Sequence, residues 1–176
     1  MVSIGPYTQA YDMKQMYDFP DFRHESKVKC SYPDDSLMGI INSNSDFTIF
    51  SELVKKARYD VKLSDLQADF TIFVPSDEQL KKKYPLKYLH NIDTGLAREI
   101  IDASMMNRKI DKNLLQSSPV STFPTVNRSR INITTFRGVT MLPNYNKVIH
   151  WNHPATNGLI HVVDGLIIPE NSYYKV

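Results

Sequence analysis

The densest run of apolar residues, Asn157 to Pro169 (NGLIHVVDGLIIP), lies near the end of the chain. Its blocks of Leu, Ile and Val are bounded by Asn157-Gly158, Asp164-Gly165 and Pro169. This predicts two buried strands joined by a tight turn at Asp164-Gly165, since glycine tolerates the positive φ of such turns. A second block runs from Asp69 to Pro75, with Phe70, Ile72 and Val74 alternating against Thr71 and Phe73, and predicts a largely buried strand. Shorter strands are expected at Val120 to Val126, Ile131 to Phe136, Val139 to Leu142 and Lys147 to Trp151. Pro124, Gly138 and the Pro143-Asn144-Tyr145-Asn146 turn separate them.

The rest of the chain reads as helix. Asp35 or Ser36 caps a short helix carrying Leu37, Met38, Ile40 and Ile41, and Ser45 or Asp46 caps a second. In the second, Phe47, Phe50, Leu53, Val54 and Ala57 recur at three- and four-residue steps, leaving Glu52, Lys55, Lys56 and Arg58 for water. Ser76 and Gln79 form a capping-box pair that opens a third helix. Lys81, Lys82, Lys83 and Lys87 crowd its far end, which suits the helix dipole and reads as a solvated end rather than an anion site. Asp93 or Thr94 opens a fourth helix through Leu96, Ala97, Ile100 and Ile101. Met105, Met106 and Ile110 follow as a strand.

Ahead of this pattern, residues 1–34 show neither period. Six aromatics (Tyr7, Tyr11, Tyr17, Phe19, Phe22, Tyr32) and three prolines predict an extended arm in which acids outnumber bases once Asp34 and Asp35 are counted. Rings left in water gain nothing, so the arm is expected to pack on its own domain or on a partner, with Tyr7, Tyr11, Tyr17, Phe19 and Phe22 as partner-binding candidates. The predicted organisation is therefore arm 1–34, one domain 35–171 and a short tail 172–176.

Composition narrows the class. A length of 176 residues suits one domain, and 41% hydrophobic with 23% charged residues is ordinary for a water-soluble fold. A net charge of +2 recruits neither nucleic acid nor an anionic membrane. No stretch reaches the roughly 18 apolar residues of a membrane span. The N-terminus lacks the basic and apolar regions of a secretory signal, and Met1 favours use on the cytosolic side. The single cysteine, Cys30, excludes an internal disulfide framework.

Two segments carry a family resemblance. Phe70 to Glu78 (FTIFVPSDE) resembles the first signature of the fasciclin (FAS1) family, T-x-F-A-P-T-D/N-E-A-F. Asn157 to Pro169 resembles the second, N-G-x-I-H-x-I-D-x-V-L-x-P. Their order and spacing match, and the resemblance covers roughly Asp35 to Asn171. It implies an α+β fold, a β-wedge of two sheets flanked by several helices. The family's Tyr-His pair between the signatures is absent, with Ser104 standing where the His would be.

No residue set predicts catalysis, a cofactor or a metal. His150, His153 and His161 are close in sequence, but no acid neighbours His153, and His161 belongs to the signature, so a ring donating to core backbone is expected. Ser76, Ser104 and Cys30 lack a nucleophile-elbow context, Ser76 already caps a helix, and Asp77 and Glu78 diverge on one. Asn127-Arg128-Ser129 and Asn132-Ile133-Thr134 match the glycosylation acceptor pattern. Arg128, Arg130 and Arg137 flank a strand and either pair with a partner's carboxylates or protect an edge.

The resemblance thus implies a non-enzymatic interaction module. Family members act in adhesion at cell surfaces or in matrix, and fasciclin-like domains also occur in large DNA viruses. A chain without a signal is expected to be a minor structural protein cementing a virion capsid, contacting other proteins of the same assembly as a homo- or hetero-oligomer. Secreted or cell-surface adhesion, with glycans at Asn127 and Asn132, is the alternative. Small-molecule or polysaccharide binding in a cleft beside the wedge is a third reading.

Overall fold

The computed structural model describes residues 31–169. The arm aromatics Tyr7, Tyr11, Tyr17, Phe19 and Phe22, together with Cys30 and the tail 172–176, lie outside the described residues. Tyr32 lies against the helical core, and its hydroxyl donates to Asp60 at 2.8 Å.

The first half is helical: α1 (Leu37–Ser43), α2 (Thr48–Lys56) and α3 (Asp60–Leu63). Strand β1 (Phe70–Pro75) follows, then α4 (Asp77–Lys83), α5 (Leu86–His90), α6 (Thr94–Ser104), β2 (Met105–Met106) and α7 (Lys112–Leu115). The second half is β: β3 (Val120–Pro124), β4 (Arg130–Phe136), β5 (Val139–Leu142), β6 (Asn146–Ala155) and β7 (Gly158–Val163). The strands form one sheet in the order β2-β1-β7-β6-β5-β4-β3. Among the described strands only β1 and β7 pair in parallel, Phe70 opposite Gly158 through Pro75 opposite Val163.

Strand β6 joins the two halves of the sheet. Its start pairs with β5 and its remainder with β7, with register shifts between Val148 and His150 and between His150 and His153. Such bulges bend a strand. Beyond β3 the chain returns to the opposite edge, where the Val126 N–H donates to the Met105 carbonyl at 3.0 Å. The expected α+β wedge is therefore present, its two sheets continuous through β6.

Both faces of β1 and β7 are buried, as near-continuous apolar runs require. Phe70, Ile72, Val74, Ile160 and Val162 face a helical core with Phe50, Leu53, Ile100 and Ile101. Phe73 and Val163 face the wedge interior, with Phe123, Ile131, Ile133 and Leu142. The first residue of β7 must be glycine: at Gly158 (φ 155°) a Cβ would stand 1.9 Å from the Phe70 carbonyl oxygen.

Two expectations are corrected. Leu166, Ile167 and Ile168 are buried but form no second strand after Asp164-Gly165. Side chains satisfy their backbone instead of a ladder: Asn146 donates to the Leu166 carbonyl at 2.6 Å, the Tyr84 hydroxyl accepts from Leu166 N at 3.2 Å, and Asn144 accepts from Ile168 N at 2.7 Å. Helix α2 begins after Phe47 with no side-chain cap from Ser45 or Asp46. The cap comes from Asp77, 29 residues on.

Candidate functional site

The polar residues of the two signature segments hold the fold together. The Asp77 carboxylate accepts from Thr48 N at 3.2 Å, from Ile49 N at 2.9 Å and from the Thr48 hydroxyl, while its own N–H donates to the Asp46 carbonyl at 2.7 Å. The opening N–H groups of α2 have no partner inside the helix, and a carboxylate there also suits the dipole. Ser76 caps α4, accepting from Gln79 N at 3.4 Å. Thr71 bridges the segment after β2, donating to the Arg108 carbonyl and accepting from Ile110 N, both at 2.7 Å.

Asn157, fully buried, joins four elements. Its Oδ1 accepts from Leu37 N at 2.8 Å, and its Nδ2 donates to the carbonyls of Leu63 at 2.8 Å and Asp65 at 3.0 Å. Its own carbonyl accepts from Phe70 N at 2.9 Å. His161 is equally buried; Nδ1 accepts from Asn152 N at 3.0 Å, so the ring proton sits on Nε2, 2.8 Å from the Ile110 carbonyl it bonds. The ring lies edge-on to Trp151 at 5.1 Å. Burial pushes its pKa below the usual histidine value, against the Ile110 bond and the Asp111 charge, which pull it up. It is a neutral core histidine donating to backbone, as the sequence implied.

Ser104, where the family's His would stand, is buried and donates to the Ile100 carbonyl of its own helix at 2.7 Å. Lys83 is no solvated helix end: its Nζ bonds Asn146 Oδ1 at 2.9 Å and Asp164 Oδ1 at 3.1 Å. On the helical side, Tyr59 donates to Asp102, with the Arg98 guanidinium 5.6 Å from its ring. Burial first, then the Asp102 bond and charge, push the Tyr59 pKa up to about 12, with Arg98 opposing. His150 and His153 are exposed on β6, while His161 points into the core. Among the described residues no group of three His, Cys, Asp or Glu could hold a metal, and no helix is long and apolar enough to cross a membrane.

A concavity lies against β4 and β5. It is a cleft of about 1030 Å³ between the loop Thr125–Arg130 and the turn Pro143–Tyr145, with Ile167 and Pro169 at one end. Asn132, Thr134 and Met141 form its floor, and Arg128 and Arg130 enter from one side. The structure thus brings together Asn127, Asn132, Arg128 and Arg130. Arg137 stands apart, at the tip of the β4–β5 hairpin. That hairpin turns through Arg137 (φ 53°) and Gly138 (φ 80°), the backbone of a type I′ turn. Asn127 Oδ1 accepts from the Thr125 hydroxyl at 2.6 Å and from Ser129 N at 3.1 Å, and Asn132 accepts from the Thr122 hydroxyl at 2.9 Å.

The sequence reading missed two exposed rings beside these residues. Tyr145 is 86% exposed at the cleft rim, and Phe136 is 72% exposed on β4. Alternation along β4 and the turn at Asn144-Tyr145 were the available signals.

A model of the fasciclin domain matches residues 45–169. Among solved structures, the chain is similar to a FAS1 domain pair from the insect cell adhesion molecule fasciclin I, with 25% identity and a TM-score of 0.65. The match covers 78% of this chain and 52% of that one, so this chain spans about half its length. No curated protein matches.

Proposed function

The chain belongs to the fasciclin domain family, and on that premise we propose that it is a non-enzymatic protein–protein interaction module of the adhesion type. The observation that carries this reading is where the chemistry of the signatures is spent. Asp77, Asn157 and His161 are committed to caps, staples and core contacts, which leaves surface contact as the function. The solved relative is a domain pair from an insect cell adhesion molecule. A cell-surface setting fits that relative. No observation favours a virion shell over other assemblies.

The aromatic arm, with Tyr7, Tyr11, Tyr17, Phe19 and Phe22, is a second contact element under this reading, joined to the domain ahead of Tyr32. Gentle purification of the native protein, with quantification of every co-purifying protein, tests it. At least one protein partner in stoichiometric amount is expected; isolation as a lone monomer would overturn the proposal.

A further inference from the structure

We infer that the cleft between Thr125–Arg130 and Pro143–Tyr145 binds an extended acidic segment of a partner protein, a deepening that rests on the interaction-module reading. Charge is the first argument. Among the described residues, Arg128 and Arg130 line the cleft, no Asp or Glu does, and neither arginine has an ion pair. A guanidinium without a carboxylate of its own fits a ligand carboxylate with two parallel hydrogen bonds.

Shape and lining argue for a peptide. Small-molecule pockets are mostly apolar and run to about 1,000 Å³; this one is at the top of that range, and its lining is mixed, with asparagines, threonines and two arginines beside Met141, Leu142 and Ile167. The cleft continues into an exposed apolar strip on the same face of the sheet. Val120 lies opposite Thr134, Thr134 opposite Met141, and Phe136 opposite Val139, so all point outward together. Val120 is 63% exposed and Phe136 72%, with the Arg137 guanidinium 5.1 Å from the Phe136 ring. Aromatic rings and arginines around a polar rim are the composition of protein-contact hot spots. A sulfated polysaccharide calls for denser positive charge than two arginines with no lysine in the lining.

Arg128 (φ 70°) and Tyr145 (φ 60°) both sit in the left-handed region, which is costly for large side chains. Their replacement by glycine removes the side chain while relieving the backbone, so loss of binding cannot be ascribed to unfolding.

The test is selection of a phage-displayed library of random linear peptides on the full chain, followed by titration of the selected peptides. Peptides enriched in Asp and Glu around an apolar residue are expected, bound more weakly as salt rises. Arg130→Glu, Arg128→Gly and Tyr145→Gly should each lower affinity about tenfold or more, with Tm unchanged or raised for the two glycine variants. Lys81→Glu, on α4, should leave affinity unchanged. Selected peptides without acidic enrichment, or equal binding by the variants, would overturn the inference. So would a heparin fragment that displaces the peptides and binds more tightly, self-association of the chain abolished by Arg130→Glu, or glycans at Asn127 or Asn132 of the native protein, which would fill the cleft. A native partner retained by Arg130→Glu sinks the cleft and leaves the module reading intact. Absence of any native partner sinks the module reading, while the peptide titration still decides the cleft.

Discussion

Replacing Asn157 with alanine tests the claim that the second signature is a structural staple. Its amide serves three backbone groups on two separate segments: Leu37 N–H at the start of α1, and the carbonyls of Leu63 and Asp65 at the end of α3. Leu37 and Leu63 are fully buried, so their orphaned groups cannot recover water, whereas Asp65 is exposed and can. Two stranded buried groups cost about 1–3 kcal/mol each, and the vacated side-chain space adds roughly 1 kcal/mol. The expected loss is about 3–7 kcal/mol, a large share of the ~5–15 kcal/mol that holds a domain folded. Equilibrium urea unfolding, followed by circular dichroism and by the fluorescence of the single tryptophan, Trp151, measures it. Thr156→Ala is the control. It removes a hydroxyl bond to Asp35 between two exposed residues and should cost under ~1 kcal/mol. A loss below ~1 kcal/mol for Asn157→Ala at unchanged m-value would refute the staple.

Three further outcomes are expected. Asp77→Ala should cost about 1–2 kcal/mol by uncapping α2, with Asp77→Asn recovering part of it, read from the same unfolding curves. His161 is held neutral with its pKa lowered, so below about pH 6.5 the unfolded chain takes up a proton that the native one refuses. Stability should therefore fall with acid from there, by at most about 1.4 kcal/mol per pH unit; a His161→Gln variant with the same acid slope would contradict this. Gly158→Ala drives a Cβ into the Phe70 carbonyl and should leave little folded protein, as judged by circular dichroism and solubility.

Much of the fold was legible because local pattern and tertiary role coincide. The alternation in Phe70 to Val74 and the short steps of Phe50, Leu53 and Val54 both reflect burial, and Ser36 and Asp93 cap the helices they precede. Helices α3, α5 and α7 span only four or five residues, too few for a helical period to register. Leu166 to Ile168 read as strand because burial and β propensity look alike in sequence, while Tyr84, Asn144 and Asn146, which satisfy that backbone, come from far earlier in the chain. The cap of α2 was misassigned for the same reason. The cleft was visible only in fragments: the arginines and asparagines of 127–132 are local, but Tyr145 joins them only through the β4–β5 hairpin and Ile167 only after β6 and β7 have carried the chain back.

Lysine-directed crosslinking of the native assembly, read by mass spectrometry, bears most directly on whether contact is made through the outer face of the β half. Lys147 is exposed and lies opposite Met141 of the cleft floor, whereas Lys62, Lys81, Lys82 and Lys87 are exposed on the helical side. Partner crosslinks are expected to concentrate on Lys147. Crosslinks confined to Lys62, Lys81, Lys82 and Lys87 would place the contact on the helical side instead.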